Sequence, residues 1–168
     1  MSLRVLALSC LVFLLSLTIL ATSDQCQYLV RVQTGDRDSG GTDSKISLKL
    51  FNSLSNQSYT IKNLEDWGKM PPGHDYFERG SLAFFSHSAP CISVCGITVT
   101  SDNTGNKPGW YLESVEVTVS GRISDKISFP VNQWLALDEW PNRLYATVDY
   151  LCSWFICLKS TPSSVILK

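Results

Sequence analysis

Histidine is scarce in this sequence of 168 residues: there are two copies, His74 and His87. Neither stands in a context that would complete a Ser/His/Asp set, and no Gly-x-Ser-x-Gly elbow is present. Nucleophilic hydrolysis therefore has no motif to rest on, no catalytic residue is expected, and both histidines are read as loop residues. Basic clusters are missing too. Lys and Arg number 14 against 15 Asp and Glu, for a formal net charge of −1, and they are scattered. No nucleic-acid partner is expected, because phosphate backbones are held by a basic patch. Long stretches of 3.6-residue periodicity, internal repeats and linkers are also absent, which excludes helical bundles, repeat arrays and a second domain.

What is present begins with Arg4 and an apolar run from Val5 to Leu20, followed by Ala21 and Ser23 at the −3 and −1 positions of a cut before Asp24. Residues 1–23 are expected to be a secretory signal peptide. The competing reading, a single membrane anchor, lacks a basic stop-transfer flank. The expected location is the secretory pathway, in the endoplasmic reticulum lumen or outside the cell in the apoplast. Loss of Arg4 makes the mature chain one charge more negative than the −1 of the whole sequence.

Of six cysteines, Cys10 falls in the leader and leaves an odd number, Cys26, Cys91, Cys95, Cys152 and Cys157. An oxidising compartment favours bridges between them. In a sandwich whose terminal strands are neighbours, Cys26 and Cys152 would staple the two ends, and Cys91 and Cys95 would lock a short loop. Cys157 is then the odd thiol, free or pairing between chains of an otherwise monomeric protein. A zinc site lacks the second close cysteine pair it would need.

Period-two alternation recurs along the chain. Tyr28, Val30 and Val32 share one face; Ile46, Leu48 and Leu50 alternate with Ser47 and Lys49; Val115, Val117 and Val119 alternate with Glu116 and Thr118. Further strands are expected near 58–62, 81–85, 95–100, 123–129 and 143–150, separated by segments rich in Gly, Pro, Asn and Asp. Short strands at this spacing predict an all-β sandwich or barrel.

Four landmarks punctuate these strands: Gly41-Thr42-Asp43-Ser44-Lys45-Ile46, Tyr76-Phe77-Glu78-Arg79-Gly80, Pro108-Gly109-Trp110-Tyr111-Leu112 and Gln133-Trp134-Leu135. With Cys26 to Val32, Asn63-Leu64-Glu65-Asp66-Trp67-Gly68 and Trp134-Leu135-Ala136-Leu137-Asp138, their order and spacing resemble the PLAT, or lipoxygenase homology, domain. More narrowly they resemble the small secreted PLAT-only proteins of plants linked to stress responses. The resemblance covers residues 24–152 and leaves 153–168 as an atypical tail. It implies an eight-stranded antiparallel β-sandwich of two four-stranded sheets and a non-catalytic module that binds lipid or membrane surfaces or protein partners. The alternative is a protein-interaction or inhibitor module that never touches lipid.

No cofactor is required on this reading, but calcium is the candidate metal. Carried over from the family, its ligands would be oxygens of Gly41 and Thr42, the carboxylate of Asp43, and Asp75 or Glu78 across the gap. The sequence departs from the family at Lys107-Pro108-Gly109, where calcium-binding relatives tend to place acids. The competing structural reading has Asp43 capping a turn and Glu78 paired with Arg79 or Lys45. Loop aromatics Trp67, Trp110 and Tyr111 are the candidate lipid or partner contacts. Of these Trp67 is the expected surface residue and Trp110 is open to either reading, while Trp134 is assigned to the core. Asn56-Gln57-Ser58 is an N-glycosylation acceptor triplet in an expected hairpin turn.

Overall fold

The computed structural model describes residues 24–150. The signal-peptide expectation for 1–23 and the tail at 153–168, with Cys152 and Cys157, lie outside them. Eight strands form: β1 (Gln25–Thr34), β2 (Ile46–Asn52), β3 (Gln57–Ile61), β4 (Leu82–Pro90), β5 (Gly96–Ser101), β6 (Trp110–Ser120), β7 (Asp125–Leu135) and β8 (Tyr145–Asp149). A single 3-10 turn, Leu64–Trp67, interrupts them. The strands build two antiparallel four-stranded sheets, as the PLAT resemblance implied, in the orders β4-β1-β6-β7 and β3-β2-β5-β8.

The alternation sets the inward faces. On β1, Cys26, Tyr28, Val30, Val32 and Thr34 are buried; on β2, Ile46, Leu48 and Leu50 are buried. Burying one such aliphatic side chain contributes roughly 1.5–3 kcal/mol, so these two rows alone favour one register strongly. On β6 the phase changes. Val32 pairs with Val115, but Thr34 pairs with Leu112, which leaves Glu113 as an extra residue. A bulge of this kind flips the alternation beyond it. Leu112 and Trp110 therefore turn inward alongside Val115, Val117 and Val119. The opposite shift brings Trp134 against Tyr111, and its ring stands on the outer face, edge-on to that tyrosine at 5.4 Å. The assignment of Trp134 to the core is thus corrected: it is half-buried, and Leu135 fills the interior.

The disulfide expectation is also corrected. Cys26 bonds Cys91, not Cys152, and Cys91 is then unavailable to Cys95. The reason is strand order. β1 lies inside one sheet and β8 at the edge of the other, so the terminal strands are not neighbours. The β1–β4 register places Gln25 against Pro90, and Cys91 follows directly. Cys95 is itself disulfide-bonded, with its other half outside the described residues.

Candidate functional site

Four connections meet at one end of the sandwich: residues 35–45 between β1 and β2, 69–81 before β4, 102–109 between β5 and β6, and 136–144 between β7 and β8. Side chains and backbone tie them together. Thr42 receives Phe77 as the acceptor of its backbone N–H at 3.3 Å, while its hydroxyl donates to the Pro108 carbonyl at 3.0 Å and accepts from the Ser44 N–H. The Ser44 hydroxyl donates to the Thr104 carbonyl at 2.7 Å. Gly41 allows the closest approach: a Cβ there would lie 2.9 Å from the Arg79 nitrogen and 3.2 Å from the Glu78 Cα. Phe77 holds the other side of this contact. Its φ of 63° is rare for a bulky residue, and its buried ring packs on Phe85 and edge-on to Trp110, 5.1 Å between centroids.

That turn aims Glu78 toward Asp43. One carboxylate oxygen each from Asp43, Asp75 and Glu78 lies within 4.8 Å of the others, and all three residues are exposed. Three anionic oxygens from two connections, 35–45 and 69–81, suit a hard cation that favours oxygen ligands. Gly41 and Thr42 sit in the same cleft, whose volume is about 360 Å³. Gly41 gives the close approach and the Thr42 hydroxyl is engaged by Pro108 and Ser44, so of the oxygens expected from these two residues only their main-chain carbonyls stay open to an ion. Gly105, at φ +83°, lets its loop lie against Asp43, where a Cβ would come within 2.7 Å.

The cleft also carries positive charge. Arg79 and Lys107 line it, but Arg79 turns to Asp36 at 2.6 Å and Asp38 at 2.5 Å. The expected pairing of Glu78 with Arg79 is therefore replaced by a bridge from Arg79 to residues 36 and 38. The hydrogen bond to Asp36 chiefly, with the field of both acids, raises the Arg79 guanidinium further above its already high value. Behind the cleft, Asp102 accepts from the Lys45 N–H and from both the N–H and hydroxyl of Thr104. Desolvation pushes the Asp102 carboxyl up, but these hydrogen bonds and Lys45 outweigh it and hold the group below the usual carboxylate range.

The aromatic candidates are redistributed. The 3-10 turn lays Trp67 across Tyr59 and His87, 6.0 and 5.0 Å between centroids, and leaves it 6% exposed. Trp110 is fully buried, and Tyr111 is half-buried under the Arg37 guanidinium at 5.1 Å. Trp67 and Trp110 are therefore interior residues, and Tyr111 keeps only part of its ring at the surface. The most exposed aromatic among the described residues is one that sequence reasoning missed, Trp140, 82% exposed with Leu137 at 58% nearby. Their loop is well braced: the Ala136 N–H donates to the Arg143 carbonyl, the Asn142 N–H to the Glu139 carbonyl at 2.7 Å, and the Asn142 amide to the Leu137 carbonyl at 2.9 Å. Gly109 packs beside Ala136 and Asp138, which places this loop next to the segment that holds Thr42. The break in alternation at Leu137-Asp138-Glu139-Trp140-Pro141 was the available signal.

His87 lies on β4, not in a loop, and stacks on Trp67; His74 stands edge-on to Tyr76 at 4.8 Å. Asn56 occupies the exposed turn between β2 and β3, with φ 55°.

The family profile described as PLAT/LH2 domain matches residues 28–145. PLAT domain-containing protein 2 of Arabidopsis thaliana is 41% identical over 151 residues, covering 84% of this chain and 81% of the relative. PLAT domain-containing protein 3 of the same plant is 45% identical over 105 residues, 59% of this chain and 100% of the relative. Among solved structures, coral 8R-lipoxygenase, described as activated by calcium through a C2-like domain, superposes with a TM-score of 0.55 at 22% identity. The match covers 73% of this chain and 16% of the lipoxygenase. At that identity the likeness is one of fold.

Proposed function

The chain belongs to the PLAT/LH2 domain family, and from that premise we propose that it is a non-catalytic module of the secretory pathway that docks on lipid surfaces with the help of calcium, in a plant stress response. The observation that carries this reading is the convergence of Asp43, Asp75 and Glu78 at the end of the sandwich where a braced loop holds Trp140 out into solvent. Asp43, Asp75 and Glu78 would hold the ion, with main-chain oxygens of the 35–45 loop beside them. Bound calcium would supply positive charge that cancels local repulsion from anionic headgroups. Trp140 and Leu137 replace Trp67, Trp110 and Tyr111 as the contact residues. An indole with an apolar body and one N–H donor suits the headgroup boundary. The Cys26–Cys91 disulfide fits an oxidising compartment.

A second reading, docking on a protein partner, is favoured by one observation. Asp138 and Glu139, both exposed, precede Trp140 directly, and an acidic rim around an aromatic anchor suits a basic protein patch. Co-sedimentation with phosphatidylcholine and phosphatidylserine vesicles, with calcium and with chelator, separates the two. Uptake that depends on calcium supports the lipid reading, and a folded sample that stays in the supernatant under every condition overturns it.

A further inference from the structure

We propose that Asn56 is an N-glycosylation site and that its glycan shields the edge of β3 that no described strand covers. This does not rest on the lipid-docking reading.

Asn56-Gln57-Ser58 is the acceptor pattern, and no other asparagine of the sequence is followed two positions later by Ser or Thr. The fold treats the two asparagines of this hairpin differently. The Asn52 amide builds the turn: its oxygen accepts from the Leu54 and Ser55 N–H groups at 3.0 and 2.9 Å, and its nitrogen donates to the Ser93 carbonyl at 2.7 Å. Asn56 sits at the outer corner, exposed and in the left-handed region that asparagine tolerates. Among the described residues none hydrogen-bonds its side chain, and Ser58 is exposed as well. A sugar on the Asn56 nitrogen would displace no packing contact and break no hydrogen bond.

The position has a consequence for the sheet. β3 is the edge of its sheet and pairs only with β2 among the described strands. An edge strand presents unpaired backbone groups to any other extended chain, and proteins protect such edges. β3 carries no proline and no charged residue (Gln57, Ser58, Tyr59, Thr60, Ile61), so it lacks the usual guards. Asn56 is the residue immediately before it. A bulky, hydrated glycan rooted there would sweep the space in which a second edge would pair.

The transfer balances without any redox step. The Asn56 amide nitrogen bonds to C1 of the first sugar of a polyprenyl-diphosphate-linked oligosaccharide. The C1–O bond breaks with its electron pair leaving on the diphosphate, and the amide proton passes to a base of the transferase.

The full chain, secreted from a plant cell host, tests both halves. Intact mass before and after amidase release should fall by a whole glycan, with Asn56 converted to Asp in the peptide map. Asn56→Gln and Ser58→Ala should each abolish the heavier species, the second while keeping the asparagine. Size exclusion over a concentration series should show the glycosylated chain monomeric and the Ser58→Ala chain associating at several-fold lower concentration. An unmodified Asn56 in the secreted protein overturns the site. A glycan whose removal leaves self-association unchanged overturns the shielding role.

Discussion

The indole N–H of Trp110 donates to the hydroxyl of Thr34 at 3.0 Å, inside the sandwich and across β6 and β1. Both groups are buried, so each satisfies the polar atom the other would otherwise leave bare. Replacing Trp110 by Phe keeps a ring but orphans the hydroxyl, at an expected cost of about 1–3 kcal/mol. Urea unfolding of Trp110→Phe, Thr34→Val and the double variant should show the double costing less than the sum. Strict additivity would mean the bond contributes nothing.

Calcium affinity should follow the acidic trio and its neighbouring lysine. Asp43→Asn and Glu78→Gln are expected to weaken binding at least tenfold in titration calorimetry without lowering stability, because both side chains are exposed and each loses a like-charged neighbour. Lys107→Glu, which reverses the positive charge lining the cleft, should strengthen binding several-fold. Indifference of all three variants would remove the trio as the ion's site.

Trp140 on the surface and Trp67 in the interior should separate cleanly. Trp140→Ala should cost well under about 0.5 kcal/mol of stability, as surface substitutions do, yet reduce vesicle uptake severalfold. Trp67→Ala empties a buried position and should cost about 3–5 kcal/mol. Equal stability losses for the two would contradict the exposure difference between them.

Asp102 makes stability depend on acid. Its carboxyl is held below the usual value in the folded state, so its contribution is fully present above the unfolded value of about 3.9 and is lost as pH falls through the lower folded value. Asp102→Ala should therefore be less stable than the parent at pH 7, with the gap closing below about pH 4. Thermal melts across that range would show it; a gap that stays constant would mean the hydrogen bonds to Lys45 and Thr104 do not depend on the charge.

Much of the site was legible before the fold. Asp43, Asp75 and Glu78 could be named from the motifs that carry them, because each sits in a loop whose sequence is distinctive. Lys107 was likewise visible as a positive residue where acids were expected. Arg79's partners were not, since Asp36 and Asp38 come from a loop whose path depends on Gly41 lying against residues 78 and 79. Nor was Trp140, whose exposure depends on how Asn142 closes its loop.

Strands were determined by sequence alone because side-chain alternation is a local property that needs only two residues to repeat. Tyr28, Val30 and Val32 announce an inward face whatever they pair with. Which residues then meet is a matter of register and sheet order, and these are set by contacts between distant segments. One extra residue at Glu113 turned Trp110 inward and left Tyr111 to pair with Trp134 on the outer face. The placing of β1 beside β4 joined Cys26 to Cys91. No spacing along the chain encodes either outcome, because both depend on how two strands slide past each other as the core closes.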